Sequence, residues 1–258
     1  MRLKDKVIIV TGSTSGIGAA IARAVVAEGG RVLIHGLERA EGEALVAGLG
    51  AERARLHIDD LLDPEAAPRI VAAAVQAFGR LDGLVNNAAL VLHSELPTTD
   101  AALFDRCMAI NVRAPMLLIN AALEHLKQSR GCVLNIGSIN GLCGETTMLP
   151  YSISKGALLT LSRNLGDALG PQGVRVNHFT VGWVLSENER KQKIRDGFAP
   201  DWYEHQPRAM VPAGRMTRPE DVAAAALFWL SDESRPFSGC VTELEQYPMV
   251  GRNPLKDG

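Results

Sequence analysis

Short runs of Val, Ile and Leu recur along this 258-residue chain without the polar alternation of a strand that has one wet face. Such runs mark strands buried on both faces, the condition of a parallel sheet covered by helices above and below. The candidate strands are Val7–Thr11, Arg31–His35, Ala54–Ile58, Gly83–Asn86, Cys132–Ile136, Val174–Thr180 and Val241–Leu244. Between them apolar residues fall at helical spacing, as in the stripe Ile17, Ala20, Ile21, Ala24 and Val25. Further helices are expected at Glu38–Leu49, Pro64–Phe78, Asp100–Lys127, Tyr151–Leu169 and Pro219–Leu230. Alternation of this kind, with right-handed crossovers, predicts an α/β chain with a doubly wound, mostly parallel, seven-stranded sheet.

No fixed-period repeat and no low-complexity linker interrupts the pattern. The one stretch without a clear period is Leu185 to Arg218, which carries Trp202 and Tyr203 and follows the sixth strand, where such sheets carry ligand-covering loops. A single domain over 1–258 is expected, with a lid at about 184–216. With 47% apolar residues the chain can bury a sizeable core. Its formal charge of −2 leaves no electrostatic footprint for nucleic acid and no basic membrane surface. The longest apolar stretch, Val222 to Leu230, is too short to span a bilayer, and the N-terminal segment lacks the apolar region of a signal peptide. Cys107, Cys132, Cys143 and Cys240 form no CxxC, and the six His include no HExxH pair. The expectation is a cytoplasmic protein with reduced thiols and no metal site.

The segment Thr11-Gly12-Ser13-Thr14-Ser15-Gly16-Ile17-Gly18 joins the first strand to the first helix. Glycines at these positions permit a tight turn and close backbone approach to a pyrophosphate, which a helix N-terminus then attracts. Ordinary β–α turns also contain glycine, so the weight rests on the order strand, turn, helix. No GK[ST] closes the loop, which argues against a P-loop NTPase.

Tyr151 and Lys155 lie four residues apart just after Pro150, on one face of a helix. A free phenol has a pKa of about 10, and a nearby cation lowers it by about 1–3 units, which suits general acid–base work. The alternative is a surface cation beside an aromatic at a helix start. Ser138, at the end of the fifth strand, and Asn111, in the long fourth helix, favour the catalytic reading.

Together these motifs resemble the short-chain dehydrogenase/reductase family, in the subgroup with TGxxxGxG and YxxxK, over nearly the whole chain. Asn86-Asn87-Ala88-Ala89 is similar to that family's NNAG; Gly214-Arg215 and Pro219-Glu220-Asp221-Val222-Ala223 match its C-terminal pattern. Asp60-Leu61 resembles its adenine-contacting position, with Asp59 as a competing assignment. Two places depart from the pattern: Val181-Gly182 replaces Pro-Gly, with Ser186 keeping a hydroxyl, and Glu245-Gln246-Tyr247 replaces Asp-Gly-Gly.

The resemblance implies a Rossmann-type fold and an NAD(P)-dependent oxidoreductase that interconverts a secondary alcohol and a carbonyl. Its implied catalytic tetrad is Asn111, Ser138, Tyr151 and Lys155. Ser138 would donate to the substrate oxygen, Lys155 would also bind the nicotinamide ribose, and Asn111 would hold a water linking Lys155 to solvent. The implied cofactor contacts are Gly12, Ser15, Gly16, Ile17, Gly18, Gly36, Leu37, Asp60, Leu61, Asn87, Ala88, Tyr151, Lys155, Gly182 and Val184. Alternatives are an NADPH-dependent 3-oxoacyl or other carbonyl reductase and a non-catalytic dinucleotide-binding protein. A sugar-nucleotide epimerase would carry TGxxGxxG and a larger C-terminal domain. The family also implies a homo-oligomer, tetramer or dimer, built on the helices at 100–127 and 151–169. Their Leu117, Leu118, Leu158 and Leu161 could equally be intramolecular core.

Cofactor choice tips toward NAD. Neither the family's Asp at Gly36 nor its Arg or Lys at Ser15 and Leu37 is present, and Arg39 is flanked by Glu38. The expected substrate is small and polar, a polyol, sugar or hydroxy acid. Asn140, Glu145, Thr146 and Thr147 would line its site beside Leu142, Met148 and Leu149. The lid would add Trp183, Trp202, Tyr203 and His205 as stacking or donating groups. On the competing view Glu145 and the threonines face solvent and the lid aromatics only close a core.

Overall fold

A computed structural model describes residues 1–249; the last nine residues of the expected domain lie outside that range. Its sheet has seven strands, β1 (Val7–Val10), β2 (Arg31–Gly36), β3 (Ala54–Ile58), β4 (Gly83–Asn86), β5 (Cys132–Ile136), β6 (Arg175–Val181) and β7 (Val241–Leu244). They are ordered β3-β2-β1-β4-β5-β6-β7, and every neighbouring pair is parallel. Strand order reverses between β1 and β4, and that switch point opens a crevice at the carboxyl ends of the strands.

Period-2 geometry explains why the strands show no polar alternation. Ile8 and Val10 pack with helices α1 (Gly16–Ala27) and α9 (Pro219–Leu230) on one face. Val7 and Ile9 pack with α3 (Ala66–Phe78) and α5 (Ala114–Ser129) on the other. Helix α2 (Arg39–Leu49) adds Leu45 to the first layer, and α7 (Leu149–Leu169) adds Leu169 to the second. Leu118 and Leu158 are buried and Leu117 packs on the core, so these leucines serve the interior. The exposed large apolar residues of the same helices, among the described residues, are Met116 and Ile153.

Two expectations are corrected. The single helix at 100–127 is divided into α4 (Ala101–Met108), a π-helical turn (Ala109–Arg113) and α5. Pro115 is the cause: it has no N–H for the carbonyl of Asn111 and its ring would crowd that group, so the ladder widens there. The aperiodic stretch after β6 holds a helix, α8 (Glu187–Arg195), with polar residues almost all round. Ends define it: the Ser186 side chain caps it by accepting from Glu189 N, acids occupy its first turn, and Lys193 and Arg195 its last. A short α6 (Asn140–Cys143) precedes α7.

Among the described residues no helix is long and apolar enough to cross a membrane, and no group of three or more His, Cys, Asp or Glu is placed to hold a metal ion.

Candidate active site

A cavity of about 850 Å³ runs along the carboxyl edge of the sheet, lined from the 12–17 loop through Ser138, Tyr151 and Lys155 to the lid. Its loop is shaped by backbone. Gly12 and Gly16 have φ of 60° and 55°, the left-handed region that glycine adopts without strain. A Cβ on Gly12 would fall 2.8 Å from Ala88 Cα, and one on Gly18 would fall 2.6 Å from Asn87 Nδ2. Asn87 and Ala88 thus reach the loop from β4: both of their backbone N–H groups donate to Thr11 Oγ1, at 3.0 and 3.1 Å. The Asn87 amide donates to the carbonyls of Thr11 and Gly12, each at 2.9 Å. Ser15 at the start of α1 places no side-chain cap on the first N–H groups, which stay available to an anion. Gly12, Ser15, Gly16 and Ile17 line the cavity; Gly18 does not, and is needed instead where α1 crosses the loop.

At the far end Gly36, Leu37, Asp60 and Leu61 line the cavity as expected. A Cβ on Gly36 would lie 2.7 Å from the Thr14 methyl, so no acidic side chain fits there without a shift. A carboxylate arrives by another route, which the sequence reading missed. Glu38 lines the cavity, and Thr14 Oγ1 donates to its Oε2 at 2.7 Å, holding the carboxyl below its usual range. The signal was an acid at the cap position of α2, two residues past the glycine. Arg39 turns away to Glu43, 3.5 Å from it on α2, and does not line the cavity. Both aspartates, Asp59 and Asp60, line the cavity, and they differ in their partners. Asp59 is bound by Arg69 Nε and Nη2 at 2.8 Å each, which with His57 holds it down at about 2. Asp60, beside Leu61, accepts from Leu62 N at 2.9 Å through its Oδ1.

Ser138 follows β5, and Tyr151 and Lys155 occupy the first two turns of α7. Three of the four expected tetrad members therefore meet at the cavity. The Ser138 hydroxyl stands near the Tyr151 phenol and favours its charged form. Buried Lys155 donates to the Ile136 carbonyl at 2.8 Å, and its Nζ lies 5.5 Å from the centroid of the Tyr151 ring. The expected downward shift of the phenol is not found. Burial pushes Tyr151 up to about 12, with the Ser138 hydroxyl only partly opposing it. Burial also takes Lys155 down to about 8. Both effects have one cause, loss of solvation of the charged form, and Lys155 directs its ammonium to a carbonyl instead of the phenol oxygen.

Asn111 lies in the π turn and does not line the cavity. Its Oδ1 accepts from Leu90 N at 2.7 Å, while its Nδ2 donates to Leu90 O at 3.0 Å and Ser154 Oγ at 2.9 Å. Both amide atoms are committed, and no hydrogen bond runs from them to Lys155. The side chain ties the loop after β4 to the turn of α7 that carries Tyr151.

The lid wall differs from expectation too. Trp183 lines the cavity, but Trp202, Tyr203 and His205 do not. Trp202 is buried with Val211 and Met216, stacks on Trp183 with centroids 5.3 Å apart, and meets Phe198 and Tyr203 edge-on. His205 is exposed and bonded to Asp201. These aromatics form the lid's own small core. On the opposite wall Asn140, Glu145, Thr147 and Met148 line the cavity, while Thr146, Leu142 and Leu149 do not. Gly182 and Val184 line it as expected. The departure at 245–247 gains a structural reason there. The Glu245 carboxylate fills the space a side chain on Gly182 would need and accepts from Trp183 N at 3.2 Å. Gln246 accepts from Ala213 N at 3.0 Å and donates to Arg215 O at 2.7 Å, latching the lid's far end to β7.

A parallel sheet with an anion-binding turn at its switch point, and a Ser–Tyr–Lys group in the same cavity, defines a dinucleotide-dependent enzyme. The family model described as enoyl-(acyl carrier protein) reductase matches residues 12–244. The chain is 36% identical to 2-(S)-hydroxypropyl-CoM dehydrogenase 3 of Xanthobacter autotrophicus, over 92% of this chain and 94% of that one. It is 34% identical to L-fucose dehydrogenase of Mus musculus, over 90% and 84%. It is 32% identical to L-rhamnose 1-dehydrogenase (NAD(P)(+)) of Azotobacter vinelandii, over 93% and 94%. The chain belongs to the short-chain dehydrogenase/reductase family, as an NAD(P)-dependent oxidoreductase acting on CH–OH donors.

Proposed function

We propose that this protein interconverts a small polar secondary alcohol and its carbonyl with NAD(H), Tyr151 serving as general acid and base. The observation that carries the reading is the meeting of Ser138, Tyr151 and Lys155 in one cavity with a glycine-shaped anion loop. The 12–17 loop would hold the pyrophosphate. Glu38, Asp60 and Leu61 would hold the adenosine half, and Lys155 with the Gly182–Val184 turn the nicotinamide half. Asn87 and Ala88 support the loop from β4, and Asn111 supports α7. When bound, the nicotinamide supplies the hydride acceptor or donor.

The chain's own residues move the proton. With its phenol pushed up to about 12, Tyr151 holds its proton at neutral pH, ready to give it to a carbonyl oxygen. Oxidation needs the phenolate, so that direction is expected to gain as pH rises. Lys155, largely cationic below about 8, stabilises negative charge on the phenol oxygen through its field. Ser138 donates to the substrate oxygen, where charge builds in the transition state.

NAD is favoured over NADP because an ionised Glu38 accepts from ribose hydroxyls and repels a 2′-phosphate. A polar substrate is supported by Asn140, Glu145 and Thr147 at the cavity and by relatives named as sugar dehydrogenases. The reading takes the chain as one domain whose 184–216 segment covers the cavity. It places the protein in the cytoplasm, supported by four free thiols, as a homo-oligomer using the exposed Met116 and Ile153. A screen of secondary alcohols, polyols and sugars with NAD and NADP, followed at the absorbance of the reduced cofactor, tests it. Turnover of polyols or sugars with NAD is expected. Rates that climb with alkyl chain length while polyols stay inert, or a tenfold preference for NADP, would overturn the substrate or cofactor assignment.

A further inference from the structure

The lid presents two charged groups, Glu189 and Lys193, to the cavity that neither the proton transfer nor the cofactor contacts use. Glu189, in the first turn of α8, lines the cavity and is half-buried. Its backbone N–H is tied to Ser186 Oγ at 3.1 Å, and its Oε1 accepts from the Trp183 indole N–H at 2.9 Å. Oε2 takes no hydrogen bond from the protein, and no cation lies within ion-pair distance of the carboxylate among the described residues. A carboxylate fixed by one oxygen, with the other left open at a cavity wall, awaits a donor.

Its location indicates which donor. Ile139 N donates to Val181 O at 3.0 Å, so the ends of β5 and β6 run side by side. Ser138, which would hold the reacting oxygen, therefore lies across from the turn that carries Trp183. Trp183 is itself pinned, by Trp202 stacked on its ring, by Glu245 on its N–H and by Lys193 5.9 Å from its centroid. The ring is thus the holder of Glu189 and not a free stacking platform. Lys193, one turn further along α8, also lines the cavity and has no ion-pair partner among the described residues. An acceptor and a donor of opposite charge, not closed on each other, match a neutral group that both gives and takes hydrogen bonds.

We infer that Glu189 is a specificity-determining residue that accepts a hydrogen bond from a second hydroxyl beside the reacting carbon, so that the preferred substrates are vicinal diols and the sugars that contain them. This rests on the alcohol-oxidising reading above and narrows it. The test is kcat/KM for matched pairs with NAD: 2,3-butanediol against 2-butanol, 1,2-cyclohexanediol against cyclohexanol, and glucose against 2-deoxyglucose. In the wild type the diol member of the pairs that turn over is expected to lead by roughly 10- to 100-fold, the range of a charge-assisted hydrogen bond. In Glu189→Leu that ratio should collapse to within about threefold of unity. A purely structural role would lower both members together and leave the ratio intact, which overturns the inference, as does a wild type that does not distinguish them. No turnover of any alcohol by the wild type would instead sink the alcohol-oxidising reading beneath it. Should Glu189→Leu fail to fold, Trp183→Phe keeps the ring and removes the N–H. It should raise KM for the diol more than it lowers kcat, and an unchanged diol KM overturns the inference equally.

Discussion

The two long walls of the cavity are held in shape by different forces. On the sheet side the geometry is written in backbone: positive-φ glycines, N–H groups donating to Thr11, and strand ends that cannot move without breaking the ladder. On the lid side it is written in side chains. A polar helix is fastened by an indole stack, by cations near aromatic rings and by the Glu245–Gln246 latch. The sheet wall is therefore stiff and suited to a cofactor part that never varies. The lid side rests on a satellite core of a few residues, where few buried apolar contacts give low local stability. Binding of a common cofactor and choice of a particular substrate can then be changed separately.

Tyr151→Phe should produce the largest effect, because it removes a proton from the stiff wall and changes no contact of the lid. Turnover is expected to fall by about 10²–10⁴ while cofactor affinity, read by fluorescence titration, stays near wild type. Retained turnover would take the chemistry away from the sheet side. Next comes Gly18→Val, whose new side chain meets Gly12 O, Asn87 and Ser13. Overpacking of this kind costs about 1–3 kcal/mol, and cofactor affinity should weaken at least tenfold or so as the loop shifts. Calorimetry reads both quantities.

Trp202→Ala probes the other wall. Losing a buried aromatic costs about 3–5 kcal/mol where it packs, but here the loss falls on the lid's own core. Proteolysis should begin within residues 187–213 and the substrate KM should rise roughly tenfold, with cofactor affinity changed by less than about twofold. Equal damage to cofactor binding would mean the walls are one cooperative unit. A smaller change is expected from Glu38→Gln, which removes the charge but leaves an acceptor for Thr14. The preference for NAD over NADP in kcat/KM should shrink by about tenfold, in line with a single charge interaction.

The smallest effect at neutral pH belongs to two buried imidazoles of the sheet. Burial takes His35 down to about 4 and His178 to about 3, so both are neutral in the fold but protonate near 6.5 once unfolded. The unfolded chain then binds more protons below 6.5, and stability falls as pH drops from about 6.5 towards 4. Above 6.5 the contribution is complete. Urea midpoints across this range should show the slope, and His178→Asn should flatten it. Acid should loosen the sheet, where both imidazoles lie.

Much of this was legible beforehand where one local rule governs. Strands β4 and β5 fall at the expected residues because burial on both faces selects a short, mostly apolar run, and the half-buried edge strands β3 and β7 fall at the expected residues as well. The glycines of the 12–18 loop and the Tyr151–Lys155 spacing encode geometry within a few residues of chain. The π turn was not legible as a break, because the cost of Pro115 is expressed four residues earlier, at the carbonyl of Asn111. Helix α8 was hidden because caps and end charges hold it without an apolar stripe. Glu38 was passed over as a neighbour of Arg39, since only the fold brings Thr14 to its carboxylate.

By itself, then, the sequence determined the parallel sheet, the anion loop at its first turn and the residues able to move a proton. Each depends on periodicity or spacing that short-range sterics enforce. The tertiary structure alone decided which side chains face the cavity and what charge they carry there. It turned Trp202 and Tyr203 into lid core, left Glu189 open beside Trp183, tied the Asp59 carboxylate to Arg69, and pushed the Tyr151 phenol up when a neighbouring lysine had suggested the reverse. Solvation is the reason: a group's protonation and its free valences depend on how much water the rest of the chain removes from it, and that is set by contacts between residues far apart in sequence.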